Sequence, residues 1–574
     1  MNRRAVSLSL LLFGSGFCAL LYQTVWLRQF RLIFGASTAA SAAVVAIFMA
    51  GLGIGGIVIG KRVERSRNPL AVYGGLEIGV AISAGLTPLL FFAIRAAYLA
   101  MGGSFGMPGF LIAPIRLALA TLVLAIPTIL MGGTLPAVAR AAESDDDAER
   151  SSVAVLYGMN TLGAVAGTLV STFYLLEHFG NRFTLIGAAL LNAFVGLTAL
   201  LMARTSLPHE ETADKTPALP SAVINERFIY TAAAVVGFAF LLMELVWYRL
   251  LTPLLGGTTF TFGLILAVAL LGIGSGSFFY SIGRRQRATV AGFAICCALE
   301  ALFLAVPLAL GDRIAVLALL LRNLGGIGFH GYVIGWSVIA ALAIFPAAFL
   351  SGLQFPLLIS LLGTGRERVA QQVGRAYAWN TAGAIAGSLA GGFGLLPLLK
   401  APGVWRAVVV VLALLAIAAA VVARRGRIAT FAFSILSVAM LFAAGPTAFW
   451  RHTPIGAGRA DQSNTSPNKL RDIEATRRRK TVWEADGIES SVSVADDEGY
   501  AFIVNGKGDG HARLDAGTQV MGGVLAGLLH PAPRRAVVIG LGTGTTAGWL
   551  GALPTMEHVD VVEIEPAIVH VAEM

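Results

Sequence analysis

The chain has 574 residues, of which 56% are hydrophobic and 13% charged, and its mean hydropathy is +0.76. This composition excludes an ordinary soluble globular protein and predicts that most of the chain lies in lipid. Residues 1–450 carry 30 Lys and Arg against 16 Asp and Glu, whereas residues 451–574 carry 12 against 16. The basic excess therefore belongs to membrane loops, and no nucleic-acid-binding face is expected.

Thirteen apolar segments are long enough to cross a bilayer, which takes about 20 residues because unpaired backbone groups cannot be left in hydrocarbon. The predicted spans are 6–27, 38–60, 71–94, 117–139, 152–176, 183–203, 228–250, 258–282, 289–310, 331–361, 376–399, 404–423 and 428–450. The first is too long for a cleaved signal peptide and is expected to be retained. The sequence predicts a multi-pass α-helical protein of the cell (inner) membrane, with the lipid bilayer as its partner.

Basic residues alternate between the loops on the two sides, with twenty in one set of loops and ten in the other. The richer set is Arg3, Arg4, Lys61, Arg62, Arg65, Arg67, Arg140, Arg150, Arg204, Lys215, Arg227, Arg284, Arg285, Arg287, Arg366, Arg368, Arg375, Arg424, Arg425 and Arg427. Because cytoplasmic loops carry the excess of Lys and Arg, the N-terminus is predicted to be cytoplasmic. Thirteen spans would then place residues 451–574 outside the cell.

The membrane region repeats itself. Val25-Trp26-Leu27-Arg28 recurs in the second half as Val246-Trp247-Tyr248-Arg249. At almost the same offset along the chain, the pattern Tyr157…Asn160-Thr161…Gly163…Gly167 recurs from Tyr377 to Gly387. Two six-helix halves, 1–203 and 228–423, are predicted, joined by a central cytoplasmic loop at 204–227 and followed by an extra helix at 428–450. Parallel repeats of this kind are typical of transporters.

The loop after the second span reads Gly56-Ile-Val-Ile-Gly60-Lys61-Arg62-Val-Glu64-Arg65. It loosely resembles the glycine-and-basic loop motif of the major facilitator superfamily. In that family the glycines let two helices approach and the charges lock the cytoplasmic loop, and that resemblance implies the same roles here. The alternative is a basic loop that only obeys the topology rule.

Polar groups inside membranes are costly, so each is a functional candidate. Glu77, Glu244 and Glu300 could line a shared cavity for a small amine, another cation or a proton, or they could cap helix contacts and pair with arginines. Asn160 and Asn380 lie among small residues, which favours helix packing. The cysteines, Cys18, Cys296 and Cys297, lie in apolar runs without metal-ligand spacing, so packed thiols and no metal site are expected.

After a predicted linker at 451–480, with the basic run Arg477-Arg478-Arg479-Lys480, the pattern changes. The run could lie against anionic headgroups, although a solvated segment is favoured. Residues 481–533 are predicted to form a β-rich part with strands at 491–494 and 500–504, broken by Asn505-Gly506 and Asp509-Gly510. A helix is predicted over 516–529.

A parallel strand at 535–539 runs into Gly540-Leu541-Gly542-Thr543-Gly544, and a second strand ends at Glu563. Alternate glycines let the backbone pass beneath a nucleoside, and an acidic side chain ending the next strand can bind both ribose hydroxyls. The pattern alone is shared by NAD-binding and methyltransferase folds. Residues 534–574 are predicted to be an incomplete Rossmann-like part.

In the order Asn505-Gly506, His530-Pro531, Ala536 to Gly540 and Val562-Glu563-Ile564-Glu565-Pro566, residues 481–574 resemble the first half of the spermidine synthase domain. More particularly, the whole chain resembles bacterial proteins in which such a domain follows a facilitator-like membrane region. The resemblance implies decarboxylated S-adenosylmethionine as co-substrate, or S-adenosylmethionine itself, with its ribose on Glu563. Thr543 and Gln519 stand where the family has an Asp and a His facing the amine, which weakens the case for a diamine acceptor.

The resemblance also implies a catalytic base on a later strand, and no residue of this chain fills that place, so we expect a truncated domain. The main hypothesis is a membrane-bound aminopropyltransferase of polyamine biosynthesis. The alternative is a multi-pass transporter with a regulatory or vestigial nucleoside-binding domain, and a third is a methyltransferase. A cytoplasmic nucleoside donor conflicts with an outward-facing domain, which leaves the side of residues 451–574 open, as is the oligomeric state.

Overall fold

The computed structural model describes residues 3–35, 38–103, 109–142, 150–205, 225–282, 288–363, 368–423, 426–456 and 466–574. Among these residues, ten helices are long and apolar enough to cross a membrane, and a bent pair makes an eleventh candidate. The chain is a multi-pass membrane protein. Most of the predicted central loop, part of the linker and the basic residues Lys215, Arg284, Arg285, Arg287, Arg366, Arg424 and Arg425 lie outside the described residues.

The N-terminal half consists of α1 (Arg3–Phe34), α2 (Thr38–Glu64), α3 (Pro69–Gly85), α4 (Thr87–Ala100), α5 (Gly109–Gly132), α6 (Thr134–Ala142), α7 (Ser151–Val170), α8 (Leu176–His178) and α9 (Gly180–Thr205). The third predicted span is the bent pair α3 and α4, whose axes differ by 41°. Between α7 and α8 the residues Ser171–Leu175 form a π-helical turn.

The C-terminal half consists of α10 (Glu226–Leu255), α11 (Thr259–Ile282), α12 (Val290–Leu310), α13 (Asp312–Leu321), α14 (Phe329–Leu362), α15 (Val369–Ala390), α16 (Leu396–Ala423) and α17 (Arg427–Met440). A π-helical turn at Gly391–Leu395 repeats the turn of the N-terminal half at the equivalent place, directly after the helix that carries the asparagine. Because π turns inside helices are rare, their recurrence supports the predicted duplication.

The expected thirteen spanning helices are corrected at one place. Spans 376–399 and 404–423 lie in one long apolar stretch, Val369–Ala423, which is broken between them at Lys400, whose φ of 59° leaves the helical region. The continuous helix predicted at 428–450 is wrong, since α17 has 14 residues and ends at Met440. Gly445 adopts a φ of 71° and Pro446 follows it, so the helix cannot continue.

The segment after α16 nevertheless runs the whole length of α12. Gly426 lies beside Ala291 at the beginning of α12, and Gly445 lies beside Leu308 and Gly311 at its end. The short helix α18 (Ala448–His452) then packs on the end of α10, where the Trp450 indole donates to the Leu250 carbonyl at 2.6 Å. The C-terminal domain therefore sits on the helix ends of the C-terminal half.

Buried apolar residues form three large clusters in the membrane region. One joins both halves and includes Leu12 and Val63 from the first half with Val236 and Ala416 from the second. The other two have their centres in the C-terminal and N-terminal halves respectively and lie nearer the opposite helix ends. The halves also meet at that end, where Ser388 donates to the Ala42 carbonyl and Phe173 stacks on Phe260.

The C-terminal domain begins with α19 (Pro467–Lys480) and an antiparallel sheet of β1 (Thr481–Asp486), β2 (Ser491–Asp496), β3 (Tyr500–Val504) and β4 (Lys507–His511), in that spatial order. Helix α20 (Ala516–Leu528) follows. Then β5 (Arg535–Ile539), α21 (Thr545–Gly551) and β6 (His558–Val562) form a parallel β-α-β unit, and α22 (Pro566–Glu573) completes the described chain.

Two expectations for this domain are corrected. Asn505 and Gly506, with φ of 49° and 75°, make the predicted hairpin turn, but Asp509-Gly510 lies within β4. Phe502 pairs with Gly510 and Ile503 with Gly508, so Asp509 is the extra residue of a bulge. The basic run is the end of α19, where Arg477 and Lys480 pair with Asp497, so these two side chains bind protein carboxylates rather than headgroups or water.

Candidate functional site

Each membrane half is held together by the same close helix contacts. A side chain on Gly16 would overlap the Asn160 carbonyl, and one on Gly237, the corresponding glycine of the second half, would overlap the Asn380 carbonyl. The Asn380 amide donates to the Ala233 carbonyl at 3.1 Å. These contacts favour the packing interpretation of the two asparagines.

The two halves meet along two seams of small residues that the repeat relates. In one, a Cβ atom built on Gly56 of α2 would lie 3.1 Å from the Gly374 carbonyl oxygen of α15. In the other, Gly158 of α7 faces the Gly274 carbonyl of α11 at the same distance. Small residues allow such close approach of backbones, so the two halves pack closely along both seams.

At the N-terminal end of the first seam lies a polar cluster around Glu64. Its carboxylate accepts the Gln371 backbone N–H at 3.1 Å, in the first turn of α15, and pairs with Arg140 at 3.4 Å. A carboxylate at a helix N-terminus is stabilised by the free N–H groups there. A Cβ atom built on Gly60 would lie 2.9 Å from the Ala370 carbonyl oxygen. Lys61 and Arg62 are exposed. In the loop motif from Gly56 to Arg65, the two glycines and Glu64 thus contact the C-terminal half.

The structure places Glu77 and Glu300 in different halves rather than together. Glu77 is 1% exposed, and the Asn192 amide of α9 donates to its carboxylate and, at 3.2 Å, to its backbone carbonyl. Glu300 is 3% exposed and accepts the Gln354 amide of α14 at 2.5 Å. Each buried carboxylate thus has one amide partner, and the second oxygen of Glu77 accepts no hydrogen bond from the described residues. Whether either carries a transported ion stays a prediction.

Glu244 of α10 is half-buried, and among the described residues no side chain donates a hydrogen bond to its carboxylate. Two shallow surface hollows are lined respectively by C-terminal-half residues such as Tyr332 and Trp336 and by N-terminal-half residues such as Gln23 and Trp26. None of the three glutamates lines either hollow. A cavity shared by Glu77, Glu244 and Glu300 is not formed by the residues described.

The glycine loop of the C-terminal domain has the shape that its sequence predicts. Gly540, Gly542 and Gly544 have φ of 89°, 55° and 77°, a region that favours glycine, and no atom lies within 4 Å of a Cβ built on either of the first two. The loop leaves β5 and enters α21. Its exposed backbone can therefore be approached closely by a ligand.

Glu563 lies directly against this loop. One of its carboxylate oxygens accepts the Leu541 N–H at 2.8 Å, and the other accepts the N–H groups of Ile564 and Glu565 at 2.8 and 2.9 Å. The predicted ribose-binding residue is therefore at the correct edge of the sheet, but its acceptor sites are largely occupied by the domain's own backbone.

The two positions that depart from the resembling family meet each other. The Thr543 hydroxyl donates to the Gln519 side-chain oxygen, and the Thr546 hydroxyl donates to the Gln519 backbone carbonyl at 3.0 Å. A neutral hydrogen-bonded pair thus stands where the resemblance implies an acid and a histidine. This pair offers no charge to attract an amine.

Several polar residues of these sites were not anticipated from the sequence. Asn192 and Gln354 are lone amides in apolar helices, a signal that the cost of polar groups in lipid could have exposed. Glu565 is 1% exposed, and Asp312 is 7% exposed and accepts Thr447 and Arg478. Glu565 belongs to the motif at 562–566 and caps α22, but its partners at Glu489 and Ser490 are distant in sequence, as are those of Asp312.

No protein-family model and no curated protein matches the chain. Among solved structures, the chain is similar to the human organic anion transporter MFSD10 (TETRAN), at 13% identity and a TM-score of 0.45, over 72% of this chain and 99% of that one. It is also similar to the major facilitator superfamily transporter FucP in the outward conformation, at 14% identity and a TM-score of 0.44, over 73% and 98%.

A further similar structure is the proton:xylose symporter XylE bound to 6-bromo-6-deoxy-D-glucose, at 12% identity and a TM-score of 0.43, over 76% of this chain and 94% of that one. FucP and XylE are described as major facilitator superfamily proteins, and MFSD10 is described as an organic anion transporter. Likenesses at these scores decide neither the substrate nor the mechanism of this chain.

Proposed function

We propose that the membrane region is a multi-pass transporter for a small solute, in which two six-helix halves rock against each other. The observation that carries this proposal is the pair of repeat-related seams between the halves. Along them small residues face each other, Gly56 against the Gly374 carbonyl and Gly158 against the Gly274 carbonyl, and a cluster of buried residues joins the halves at the N-terminal end. Two halves that meet along such paired seams can rock against each other.

Rigid halves and adjustable seams are what alternation requires. Glycine contacts inside each half press backbones together, so each half moves as one body. The Glu64 cluster holds the two halves at the N-terminal end, and its charge-assisted hydrogen bond to α15 must break when that end opens. Alternating access in repeat-built transporters follows from this type of motion.

A small amine or another cation is the proposed substrate class. Among the three intramembrane glutamates, Glu244 is the one whose carboxylate no amide of a described residue satisfies, and an unsatisfied carboxylate in lipid is costly unless a cation or proton joins it. Polyamines carry the matching charge. Putrescine and spermidine are therefore the first solutes to measure in proteoliposomes, with protein-free vesicles as the blank.

A disulfide across a seam tests the rocking motion. The Cβ position of Gly53 lies 3.5 Å from Cβ of Thr381 in the other half, within disulfide range. Oxidation of a Gly53→Cys/Thr381→Cys pair should abolish uptake, and reduction should restore it. The matched control is Gly85→Cys/Ala189→Cys, at 3.4 Å within one half, which should transport in both states. Full uptake by the oxidised seam pair, or no flux of any tested cation by the parent protein, would defeat the proposal.

A second function is favoured by the glycine loop, where three glycines of positive φ and Glu563 adjoin. We propose that residues 481–574 bind a nucleoside, decarboxylated S-adenosylmethionine or S-adenosylmethionine, and that this domain belongs to an aminopropyl transfer to an amine. Calorimetric titration with both compounds and with methylthioadenosine tests the binding. Glu563→Ala should weaken it by about 1.5 to 3 kcal/mol, the range for a charged hydrogen-bond partner.

The same titration separates the alternatives. Preference for S-adenosylmethionine over its decarboxylated form would favour a methyltransferase, and no binding of any of the three compounds would remove the nucleoside site. An ammonium is not a nucleophile, so aminopropyl transfer would also need a base that deprotonates the attacking amine.

A further inference from the structure

Arg249, near the end of α10, reaches into the C-terminal domain. Its guanidinium donates to the Ile488 carbonyl at 3.1 Å and to the Gly487 carbonyl, both in the turn between β1 and β2. Arg28, the repeat-equivalent residue, is exposed. A membrane helix of the C-terminal half therefore holds a specific turn of the domain, and the same position of the N-terminal half does not.

The other side of that turn is held by Glu565. One oxygen of this buried carboxylate accepts the Glu489 and Ser490 N–H groups at 2.7 and 2.9 Å, and the other caps α22 by accepting the Ala567 N–H at 3.0 Å. A side chain on Gly487 would overlap the carboxylate. The turn at 487–490 is thus fixed between Arg249 and Glu565.

Glu563 continues the connection to the glycine loop. It accepts the backbone N–H of Glu565 and, with its other oxygen, that of Leu541 in the loop. A carboxylate has about four acceptor sites, and in Glu563 three of them are already occupied by backbone N–H groups. A ribose diol brings two further donors, so at least one of those N–H groups must be released when a diol binds.

We propose that the turn at residues 487–490 links the glycine loop to α10, so that diol binding at Glu563 and the position of Arg249 are coupled. The ligand in this proposal rests on the proposed nucleoside-binding function. The chain of contacts from Arg249 to the glycine loop is present without a ligand. Glu563 supplies the two states that coupling needs, one bound to backbone N–H groups and one bound to a diol. By linkage, a shift of α10 would change nucleoside affinity as much as the nucleoside shifts α10.

Amide hydrogen exchange of the full chain in lipid nanodiscs tests the link without a ligand. Arg249→Ala should speed exchange at Glu489, Ser490 and Leu541 by about tenfold, because a charge-assisted anchor is lost at one end. The matched control is Arg406→Ala, which removes a guanidinium that donates to the Leu441 and Ala443 carbonyls and not to the turn at 487–490. Arg406→Ala should leave these amides unchanged.

Faster exchange at residues 487–490 with Leu541 unaltered in Arg249→Ala would overturn the link. Glu565→Gln, which keeps the side-chain volume, should reproduce the faster exchange at Leu541, and no change there would also contradict it. In a second arm, methylthioadenosine should alter exchange at residues 250–256 in the parent chain and not in Arg249→Ala. Absence of methylthioadenosine binding would remove the nucleoside function, while the ligand-free arm would still decide the link.

Discussion

In the N-terminal half Gly163 packs against the Phe13 carbonyl, and in the C-terminal half the repeat-equivalent Gly383 packs against the Ala234 carbonyl. The polar groups do not match in this way. Gln23 corresponds to Glu244, and the amide partner of Glu77 comes from α9 whereas that of Glu300 comes from α14. Backbone contacts tolerate no side chain and are retained in both copies, whereas side chains at the same positions have diverged.

The halves differ most where they meet the C-terminal domain. The end of α10 holds that domain through Arg249 and through the Leu250 carbonyl, and Asp312 at the beginning of α13 holds Arg478 and Thr447. All of these anchors belong to the C-terminal half. The domain is therefore attached to the C-terminal half, which makes the duplicated membrane region asymmetric.

The largest expected effect tests the shared packing. Gly163→Ala and Gly383→Ala each force a methyl group into a backbone carbonyl of the neighbouring helix, where nothing can give way, so each should cost about 3 kcal/mol or more. Thermal unfolding in detergent measures the loss. Gly187→Ala, with open space around its Cβ position, is the control and should be neutral. Unequal losses in the two halves would break the equivalence.

The next effect tests the difference at the helix ends. Arg249→Ala removes two charge-assisted hydrogen bonds and should destabilise docking of the domain by about 3 kcal/mol, whereas Arg28→Ala should have no effect. Protease sensitivity of residues 481–574 in the intact protein reports undocking. Equal sensitivity of the two variants would show that Arg249 does not anchor the domain.

A pH effect should follow at the same junction. Burial, partly opposed by Asp486, lowers the pKa of His452 to about 4, so the imidazole is neutral in the folded chain. Between pH 6.5 and 4 the unfolded chain binds the proton more readily, and the free energy of unfolding therefore falls as the pH is lowered. From pH 7 to 5 the loss is about 2 kcal/mol. Thermal unfolding of His452→Gln should show a smaller dependence, and an equal one would contradict this origin.

The smallest expected effect concerns the diverged carboxylates. Glu244→Gln should reduce cation flux by about tenfold without lowering stability, because no hydrogen-bond partner among the described residues depends on its charge. Glu77→Gln and Glu300→Gln should reduce flux less, since each of these carboxylates already has an amide partner within its own half. Flux and melting temperature are measured on the same preparations. Normal flux in all three variants would show that these glutamates have no role in transport.

The sequence alone predicted the features that depend on local composition and on repetition. Apolar length located twelve of the spanning segments, the spaced recurrence from Tyr157 to Gly167 revealed the duplication, and glycines with a following acidic residue marked the loop at 540–544. Such features are readable because lipid demands long apolar helices and tight turns demand glycine.

Only the tertiary structure decided what those elements contact. Glu77 and Glu300 received amide partners 115 and 54 residues away, Glu563 was found bound to the loop beside it, and Arg249 was found 238 residues from the turn that it holds. The apolar run 428–450 did not become one helix, because α17 ends at Met440 and Gly445 and Pro446, beside Leu308 and Gly311, prevent a helix from continuing to residue 450. Hydrophobic burial sets where a segment lies, but the partner of each polar group depends on which helices pack together, and that is a property of the whole fold.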